Sequence, residues 1–446
     1  MSESTGQQRS PATPAYILRG HAAPIHGLHI FHQNLRLISG DAEGWVIVWD
    51  LVIKRPVATW KAHEGAILEV KGFSYEAGAV TEVYTHGRDH KLRMWRFRPQ
   101  DEKFLHKTLP VDVAEQTEPS SQTQPWLVHS IPVNALNFCA FSILFIDDLE
   151  PRIGDWQKGQ SPETAAQPSP PEKPLSVLVA VPNALNSGAI DLFHLPSERR
   201  ICTIPADATT KTGMVMAVKL ILSGEGELYV ASAYEDGHVM VFARRGAVKE
   251  QEFAGGAGKT GAWKWEKLYA CRPHSQPVLS IDILPAGDYF ISSSADALLV
   301  KHPVPLLGAV GSSMHRLVEE KPLKQAATGH SGQQGLRVRS DGKIFAVGGW
   351  DSRVRVYSCK SLKELAVLKW HKDGCYAVAF ADVCLVSEED TGVETRGTDE
   401  GDGLVPRRAE EFSLATVQRL RNQKVQSTHW LAAGSKDGKV SLWDIY

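Results

Sequence analysis

The sequence predicts an all-β protein, a seven-bladed β-propeller whose ring is closed by pairing of its N- and C-terminal strands. Three segments carry the prediction, each with a short apolar strand, a polar turn and an alternating strand that ends at Trp or just beyond it: 37–50, 83–96 and 431–444. Alternation of apolar and polar residues is typical of a half-buried strand, and the turn residues indicate a hairpin. Trp49 and Trp95 are 46 residues apart, close to the period of a propeller blade, ~40–45 residues.

Four weaker copies of the hairpin bring the number of blades to seven. They span 185–194, 230–243, 291–302 and 346–358, with Phe193, Phe242, His302 and Tyr357 in the position of the Trp. Most units follow a His that the pattern places in the turn before the first strand, namely His21, His63, His129, His274, His330 and His371. The fourth unit has no such His, and Asp207 lies near that place.

Such repeats are typical of WD40 propellers. In these, a turn His, a Ser or Thr of the second strand, a turn Asp and the Trp of the third strand form a buried hydrogen-bonded chain, which satisfies polar groups and fixes the blade geometry. We predict this structural network for His21, Ser39, Glu43 and Trp49, for His63, Thr85, Asp89 and Trp95, and for His371, Asp437 and Trp443. In the last set Ala433 stands where the hydroxyl is expected.

The two ends of the sequence predict how the ring closes. The chain ends at Tyr446, directly after a third strand, so the seventh blade lacks an outer strand. The apolar segment 15–18 precedes the first turn His and can supply that strand. We expect this pairing to tie the termini together and to remove an open sheet edge.

The remaining residues predict a tail and insertions around one propeller. We expect residues 1–14 to be a disordered polar tail and residues 15–446 to form a single WD40 propeller. The expected loop insertions lie at about 112–125, 150–174, 244–262, 303–322 and 387–427. The second insertion is rich in Pro, and the last has an acidic first part and a basic second part, so we interpret these segments as solvated loops.

The sequence shows no pattern of catalysis, cofactor binding or metal binding. The Gly-rich segment 254–260 is not a phosphate-binding loop, because Phe253 stands where the motif requires Gly and two strands flank the segment. His26, His29 and His32 fall on the first strand of blade 1, where residues three apart alternate between faces, so no zinc site is expected. No GxSxG or HExxH motif occurs, and we predict that the protein is not an enzyme.

Composition favours protein partners over nucleic acid or membrane. The net charge is −2, which gives no bulk attraction to polyanions. The uncharged stretch between Glu118 and Asp147 has an apolar part of only about eleven residues, whereas a membrane span requires about 20. The six cysteines show no CxxC spacing, which indicates neither a zinc ribbon nor a disulfide framework.

A candidate docking surface follows from the residue that precedes the turn acid in each blade. This position lies on the ring face with the turns between second and third strands, and its occupants are Ala42, Arg88, Asn186, Glu235, Ala295, Trp350 and Lys436. Arg88 and Trp350 stand out, because Arg and Trp are enriched at interface hot spots. Arg337, Arg339 and Arg353 are expected near Trp350 and complete the candidate set. The alternatives are that Trp350 folds inward onto a neighbouring blade and that Arg88 pairs with an acid.

Several segments are more specific than the Gly-His and Trp-Asp pairs of a general WD40 protein. They are PAYILRGHAAPIHGLH (14–29), SGDAEGWVIVWDL (39–51), THGRDHKLRMWRF (85–97), PNALNSGAIDLFHLPS (182–197), HSGQQGLRVRSDGKIFAVGGWDSRVRVYS (330–358) and HWLAAGSKDGKVSLWDIY (429–446). With them, nearly the whole chain resembles the fungal ASTRA-associated protein 1 family, whose animal relatives are named guanine nucleotide-binding protein beta-subunit-like.

The resemblance implies a non-catalytic scaffold subunit of the ASTRA complex, which contains Triple T co-chaperone proteins, RuvB-like ATPases and a kinase-related scaffold. It further implies a part in chromatin remodelling and in maturation of phosphatidylinositol-3-kinase-related kinases, in the nucleus, with the cytoplasm left open as a second location. The alternative is a WD40 signalling adaptor or a ubiquitin-ligase substrate receptor. The WDxR motif of such receptors is incomplete here, because the second residue after Asp50 in Trp49-Asp50 is Val52, where the motif has Arg.

Overall fold

In a computed structural model of the chain, strands account for most of the regular structure and form seven four-stranded antiparallel sheets. The structure describes residues 12–75, 79–113, 123–134, 138–146, 176–248, 251–254, 263–307, 318–383 and 414–445. Each sheet is one blade, and the first strands of the blades line a central channel. The predicted seven-bladed propeller is confirmed.

The strands follow one another blade by blade. Strand β1 (Tyr16–Arg19) comes first, and blade 1 contains β2 (Ile25–Phe31), β3 (Arg36–Asp41), β4 (Trp45–Asp50) and β5 (Arg55–Lys61). Blade 2 contains β6 (Ile67–Tyr75), β7 (Val80–Gly87), β8 (Lys91–Phe97) and β9 (Trp126–Pro132), and blade 3 contains β10 (Ser142–Phe145), β11 (Val177–Pro182), β12 (Ile190–Leu195) and β13 (Arg199–Ile204). Blade 4 contains β14 (Val215–Leu222), β15 (Glu227–Tyr234), β16 (Val239–Ala247) and β17 (Trp265–Cys271).

The last three blades keep the same order. Blade 5 contains β18 (Val278–Ile283), β19 (Tyr289–Ser294), β20 (Leu298–Pro303) and β21 (Lys324–Ala327), and blade 6 contains β22 (Gln333–Val338), β23 (Ile344–Gly349), β24 (Arg353–Ser358) and β25 (Glu364–Lys369). Blade 7 contains β26 (Cys375–Phe380), β27 (Trp430–Ser435) and β28 (Lys439–Asp444). The helices among the described residues are α1 (Pro110–Val113), α2 (Gln251–Ala254) and α3 (Leu414–Ser427).

The N-terminal strand completes blade 7. Strand β1 pairs antiparallel with β28, so that Tyr16 lies opposite Leu442 and Arg19 lies opposite Lys439. Leu18 is only 2% exposed and packs into the core between blades 7 and 1. The predicted closure of the ring by its two terminal strands is confirmed.

The hydrophobic core lies between neighbouring blades. Because each sheet is covered by a blade on either side, the second and third strands are buried on both faces, as in Arg36–Asp41, where only Arg36 is partly exposed. Trp60 and Trp95 meet edge to face in the layer between blades 1 and 2, with 5.9 Å between ring centroids. The alternating pattern in the sequence predicted half-buried strands, but only outer strands such as Glu364–Lys369 are largely exposed.

The ring has two faces that differ in their connections. The front face carries the links between blades and the turns between second and third strands, at 42–44, 88–90, 183–189, 235–238, 295–297, 350–352 and 436–438. The back face carries the connections between first and second and between third and fourth strands. Each of the five predicted insertions is attached at both ends to the back face. The front face therefore carries none of the five predicted insertions.

Two insertions begin or end differently from the prediction. Strand β16 continues to Ala247, so the insertion predicted from residue 244 starts later. The region 387–427, interpreted as a solvated loop, ends in helix α3, because Val425 is buried in the core between blades 7 and 1 and its carbonyl accepts the Trp430 Nε1–H at 3.1 Å. The insertion at 150–174 and residues 1–11 of the predicted tail lie outside the described residues.

The first prediction concerns closure of the ring. Deleting residues 1–18 should lower the melting temperature far more than deleting residues 1–13, because only the longer deletion removes most of β1 and exposes the edge of β28. Loss of the buried Leu18 side chain alone costs about 1.5–3 kcal/mol. Thermal unfolding of the two truncated proteins, followed by circular dichroism, measures the difference. Equal melting temperatures would contradict closure by β1.

Candidate functional site

The structure brings together the four side chains predicted to form a network in blade 2. Nδ1 of His63 lies 2.7 Å from Oδ1 of Asp89, and Nε2 lies 2.8 Å from the Thr85 hydroxyl. Nε1 of Trp95 donates to the same hydroxyl at 3.0 Å, and Arg93 pairs with Asp89 at 2.9 Å. These bonds join the interblade link, the second strand, the turn and the third strand into one buried unit.

Burial and charge shift the pKa of both titratable members of this network. Burial lowers the pKa of His63, and the hydrogen bond with Asp89 opposes that effect. Burial acts to raise the pKa of Asp89, but the hydrogen bond and charge of His63, with the charge of Arg93, hold it well below its usual range. A carboxylate with a lowered pKa stabilises the fold above the pKa of the unfolded chain, near pH 4, and loses that effect on acidification.

In blade 1 the acid of the network is Asp41, and the prediction of Glu43 is wrong. Nδ1 of His21 lies 2.7 Å from Oδ2 of Asp41, and Nε2 lies 2.7 Å from the Ser39 hydroxyl, to which Trp49 donates at 2.9 Å. Asp41 ends strand β3 and is fully buried, so it reaches the histidine from two residues earlier than expected. The backbone N–H of Glu43 donates to Asp41 at 2.9 Å, and the Glu43 residue is exposed.

In blade 7 the network is complete, although Ala433 of the second strand has no hydroxyl. The hydroxyl comes from Ser441 of the third strand instead. Ser441 lies directly opposite Ala433 in the pairing of β27 with β28. Its hydroxyl is 2.8 Å from Nε2 of His371 and accepts the Trp443 Nε1–H at 2.8 Å, while Asp437 lies 3.2 Å from Nδ1 of His371. Directly opposed residues are close enough that either strand can supply the group.

Blade 5 contains a fourth network, in which His302 replaces the Trp. The Ser292 hydroxyl lies 2.8 Å from Nε2 of His274 and 2.8 Å from Nε2 of His302, and Asp296 lies 3.1 Å from Nδ1 of His274. The Tyr269 hydroxyl is 2.8 Å from Nδ1 of His302. Burial lowers the pKa of His302 well below its usual range, so the ring is neutral and can donate from one nitrogen and accept at the other.

One of the histidines expected in turns lies elsewhere, and another lies in its turn without joining a network with the turn acid. His129 is on the outer strand β9, where Nδ1 lies 2.8 Å from Glu198. His330 is in the link before blade 6, but the acid of that blade, Asp351, pairs with Arg355 at 2.6 Å instead. The expected turn position is therefore wrong for His129 and confirmed for His330. Spacing alone does not distinguish an outer strand from the link that follows it.

Blade 4 uses a different buried contact. The Ser232 hydroxyl donates to the Tyr234 hydroxyl at 3.1 Å. Asp207 lies in the link before β14, where it pairs with Lys267 of β17. Asp207 therefore lies in the link where other blades have the network histidine, as the sequence predicted, but it pairs with a lysine of the outer strand.

The histidines considered for metal binding do not converge. His26 lies at the mouth of the channel, His29 accepts the Gly72 N–H at 3.1 Å, and His32 is in a turn with a φ of 55°. Within the described ranges no group of three or more His, Cys, Asp or Glu could hold a metal ion. No helix of that part of the chain is long and apolar enough to cross a bilayer. Residues 255–260 of the Gly-rich segment lie outside the described residues.

Three of the candidate partner-binding residues lie on the front face. Trp350 is 50% exposed, and its Nε1 donates to the Gln334 side chain of its own blade at 2.7 Å, so it does not fold onto a neighbouring blade. Arg88 lies 4.7 Å above the ring of Phe138 and does not pair with Asp89. Arg353 is exposed beside the turn that carries Trp350.

Arg337 and Arg339 do not lie beside Trp350, and that part of the prediction is wrong. Arg337 lies in the channel and pairs with Glu69 of blade 2. Arg339 is in the back-face turn of blade 6 and pairs with Asp341 at 2.7 Å. Strand β22 runs from the front face to the back face, so residues close to Trp350 in sequence end up at the opposite end of the blade.

The inner ends of the blades form a cup at the centre of the front face. In six blades the register shifts by one residue after the first residue of the inner strand, which is a β-bulge. The extra residues line the cup and are His26, Leu68, Met216, Leu279, Gln334 and Tyr376, to which blade 3 adds Phe138 and Ala140. A bulge re-aims a side chain, so the same device repeated around the ring builds one mainly apolar wall.

The floor of the cup is an ion pair that spans the channel. Arg337 belongs to blade 6 and Glu69 to blade 2, and these two blades are not neighbours in the ring. Lys219 of blade 4 also lines the floor and pairs with Asp282 at 2.9 Å. The cup therefore combines an apolar wall with a charged floor.

Sequence reasoning missed the cup, although part of the signal was present. In the four blades with a network histidine, the cup residue is the fifth residue after it: His26, Leu68, Leu279 and Tyr376. The spacing could have identified these positions, but only the register of the paired strands shows that they are extra residues turned toward the channel.

The second prediction separates the network acids from their neighbours. Asp89→Ala should lower the free energy of unfolding by about 1–3 kcal/mol, because it removes the carboxylate that His63 Nδ1 and Arg93 share. Glu43→Ala, at the equivalent turn position of blade 1, is the matched control and should stay within about 0.5 kcal/mol of the parent. Urea unfolding of both variants gives the comparison. A stable Asp89→Ala variant that nevertheless loses a partner would argue for a binding role instead.

The third prediction tests whether the hydroxyl of blade 7 can be supplied by either strand. Ser441→Ala should cost about 1–3 kcal/mol, because His371 and Trp443 lose their shared partner. Adding Ala433→Ser should restore part of that loss, because it recreates the arrangement of Ser39 in blade 1. Thermal unfolding of the single and double variants measures the rescue, and a double variant less stable than Ser441→Ala would refute the exchange.

Comparison with known proteins places this chain in a family. A family model described as ASTRA-associated protein 1 matches residues 14–443. The Aspergillus flavus protein named ASTRA-associated protein 1 is 66% identical over 441 residues, which cover 99% of each chain, and the Aspergillus niger protein of that name is 63% identical over all of both chains. The Schizosaccharomyces pombe protein of that name is 32% identical over 85% of this chain and 97% of its own. The resemblance inferred from the sequence is confirmed, and the chain belongs to the ASTRA-associated protein 1 family.

Proposed function

We propose that this chain is a non-catalytic scaffold subunit of the ASTRA complex. The observation that carries the proposal is similarity along nearly the full chain to proteins named ASTRA-associated protein 1. The propeller fold and the family are consistent with a protein that is not an enzyme. The His, Ser and Asp side chains that resemble catalytic groups, such as His274, Ser292 and Asp296, are held inside the blades by other buried residues.

The proposal includes a part in chromatin remodelling and in maturation of phosphatidylinositol-3-kinase-related kinases. The proposed partners are the Triple T co-chaperone proteins, the RuvB-like ATPases and the kinase-related scaffold, and the proposed location is the nucleus. The support for these finer statements is family resemblance, together with a net charge of −2 that favours protein contacts over direct contact with nucleic acid.

The front face is the proposed docking surface. Its short connections leave Trp350 and Arg88 accessible, and each of them contacts a residue of the cup, Gln334 and Phe138 respectively. Arg and Trp dominate interface hot spots because they combine a large contact area with directed hydrogen bonds or charge. A partner on this face would therefore cover the two hot-spot candidates and the cup in one contact.

Affinity purification of the endogenous, tagged full-length protein tests the proposed function. We expect recovery of the Triple T proteins and the RuvB-like ATPases. Recovery of cullin adaptors in their place would contradict the scaffold proposal and favour a ubiquitin-ligase substrate receptor. Imaging of the same tagged protein tests the nuclear location.

The fourth prediction tests the front face in the same purification. The double substitution Trp350→Ala with Arg88→Ala should reduce recovery of at least one subunit by more than about tenfold, which corresponds to about 1.4 kcal/mol. The matched control is Leu365→Ala with Lys363→Ala, because these exposed residues lie on the outer strand of blade 6 and the turn before it. Both variants must melt within a few degrees of the parent. Parental recovery of every subunit by the first variant would show that these residues do not dock partners.

A further inference from the structure

We propose that the cup binds an extended segment of a partner protein that presents an apolar side chain beside a carboxylate. The inference rests on the proposed scaffold function, which it extends by assigning the site and the chemistry of the segment. It is carried by three features of the described channel: the apolar wall, the excess of positive charge below it, and an unused hydrogen-bond donor.

The wall of the cup favours an apolar side chain. The bulges of six separate blades place their extra residues around the cup. Four of these six residues are apolar or aromatic, namely Leu68, Met216, Leu279 and Tyr376. Phe138 joins them and is 61% exposed. Leu68, Leu279 and Tyr376 are partly exposed, whereas Met216 is buried. A cluster of partly exposed apolar groups around one opening indicates a surface that another molecule covers.

The floor favours a negative charge. The charged side chains contributed by the described first strands around the floor are the cations Lys71, Lys219 and Arg337 and the carboxylates Glu69 and Asp282. Two ion pairs neutralise four of these groups and leave one cation in excess. Burial, aided by the charges of Arg337 and Lys219 and opposed by that of Glu69, lowers the pKa of Lys71 to about 8. A carboxylate bound nearby would restore the charge balance.

A donor without a partner also lies at the floor. Nε of Arg337 is buried, and no acceptor for it occurs among the described residues, although the other guanidinium nitrogens bind the Leu336 carbonyl and Glu69. A buried donor without an acceptor destabilises the folded protein, and a ligand carboxylate could satisfy it. One surplus cation and one free donor match a single carboxylate, whereas a nucleic acid requires a longer run of basic groups.

Leu279 is the position from which to test the occupant, because it lines the cup, is partly exposed and takes no part in the ion pairs. Arg337 is unsuitable, because its removal would also leave the buried Glu69 carboxylate unpaired. The photo-crosslinking residue p-benzoylphenylalanine would replace Leu279 in the full-length protein, and Leu365 on the outer strand in a matched control. Each protein is irradiated within the purified assembly, and the crosslinked peptides are identified by mass spectrometry.

We expect a crosslink from position 279, but not from 365, to a segment of another subunit with Asp or Glu within two residues of an apolar side chain. A synthetic peptide of that segment should bind the purified parental protein in fluorescence anisotropy. Its Glu→Gln or Asp→Asn version should bind at least tenfold more weakly, and Leu279→Glu should weaken the parental peptide by a similar factor.

Two results would overturn the inference. One is an intact assembly without a crosslink at position 279, which leaves the scaffold proposal standing and the cup empty. The other is a crosslinked segment whose binding does not change when its carboxylate is removed. If the parental chain recovers no ASTRA subunit but position 279 captures a segment with the stated peptide behaviour, the proposed function fails and the cup inference stands.

Discussion

The need to satisfy polar groups buried between blades is the constraint on which the rest of this ring depends, and in four blades a turn histidine bonded to a buried hydroxyl meets it. Both faces of each blade are covered by neighbouring blades, so polar groups that tie strands together must find partners inside the protein. The His63–Thr85 contact holds the link that enters blade 2 against its second strand, and Trp95 closes the unit from the third strand. The same bonds hold the link that directly precedes the first strand, whose bulge residue Leu68 lines the channel.

The blades meet this requirement with different residues, because the constraint acts on atoms and not on sequence positions. Asp41 reaches its histidine from the end of a strand, whereas Asp89 reaches its own from a turn. Ser441 supplies from the third strand what Ser39 supplies from the second, and His302 replaces a Trp because its ring can also bond to the shared hydroxyl. A degenerate repeat can therefore retain a complete hydrogen-bonded chain.

The long insertions attach to the back face of the ring, whereas the turns that take part in the networks lie on the front face. Connections on the back face can lengthen without disturbing the networks, because every turn histidine and turn acid of the four networks lies toward the front. In the four blades with a network histidine the front face has less freedom, since only five residues separate that histidine from the bulge residue that lines the channel. A partner that recognises the front face would meet a rigid surface, which lowers the entropy cost of binding.

The sequence by itself determined the number of blades, the closing strand and the networks whose members lie at their usual spacing, because hydrophobic alternation and turn residues are local signals. It could not place Arg337, which is thirteen residues from Trp350 but pairs with Glu69 across the channel. It also could not choose between Asp41 and Glu43, or see that Ser441 faces Ala433. These outcomes, like the cup itself, depend on strand register and on the direction in which each blade crosses the ring. Both are set by contacts between residues far apart in the chain, and only the tertiary structure decides them.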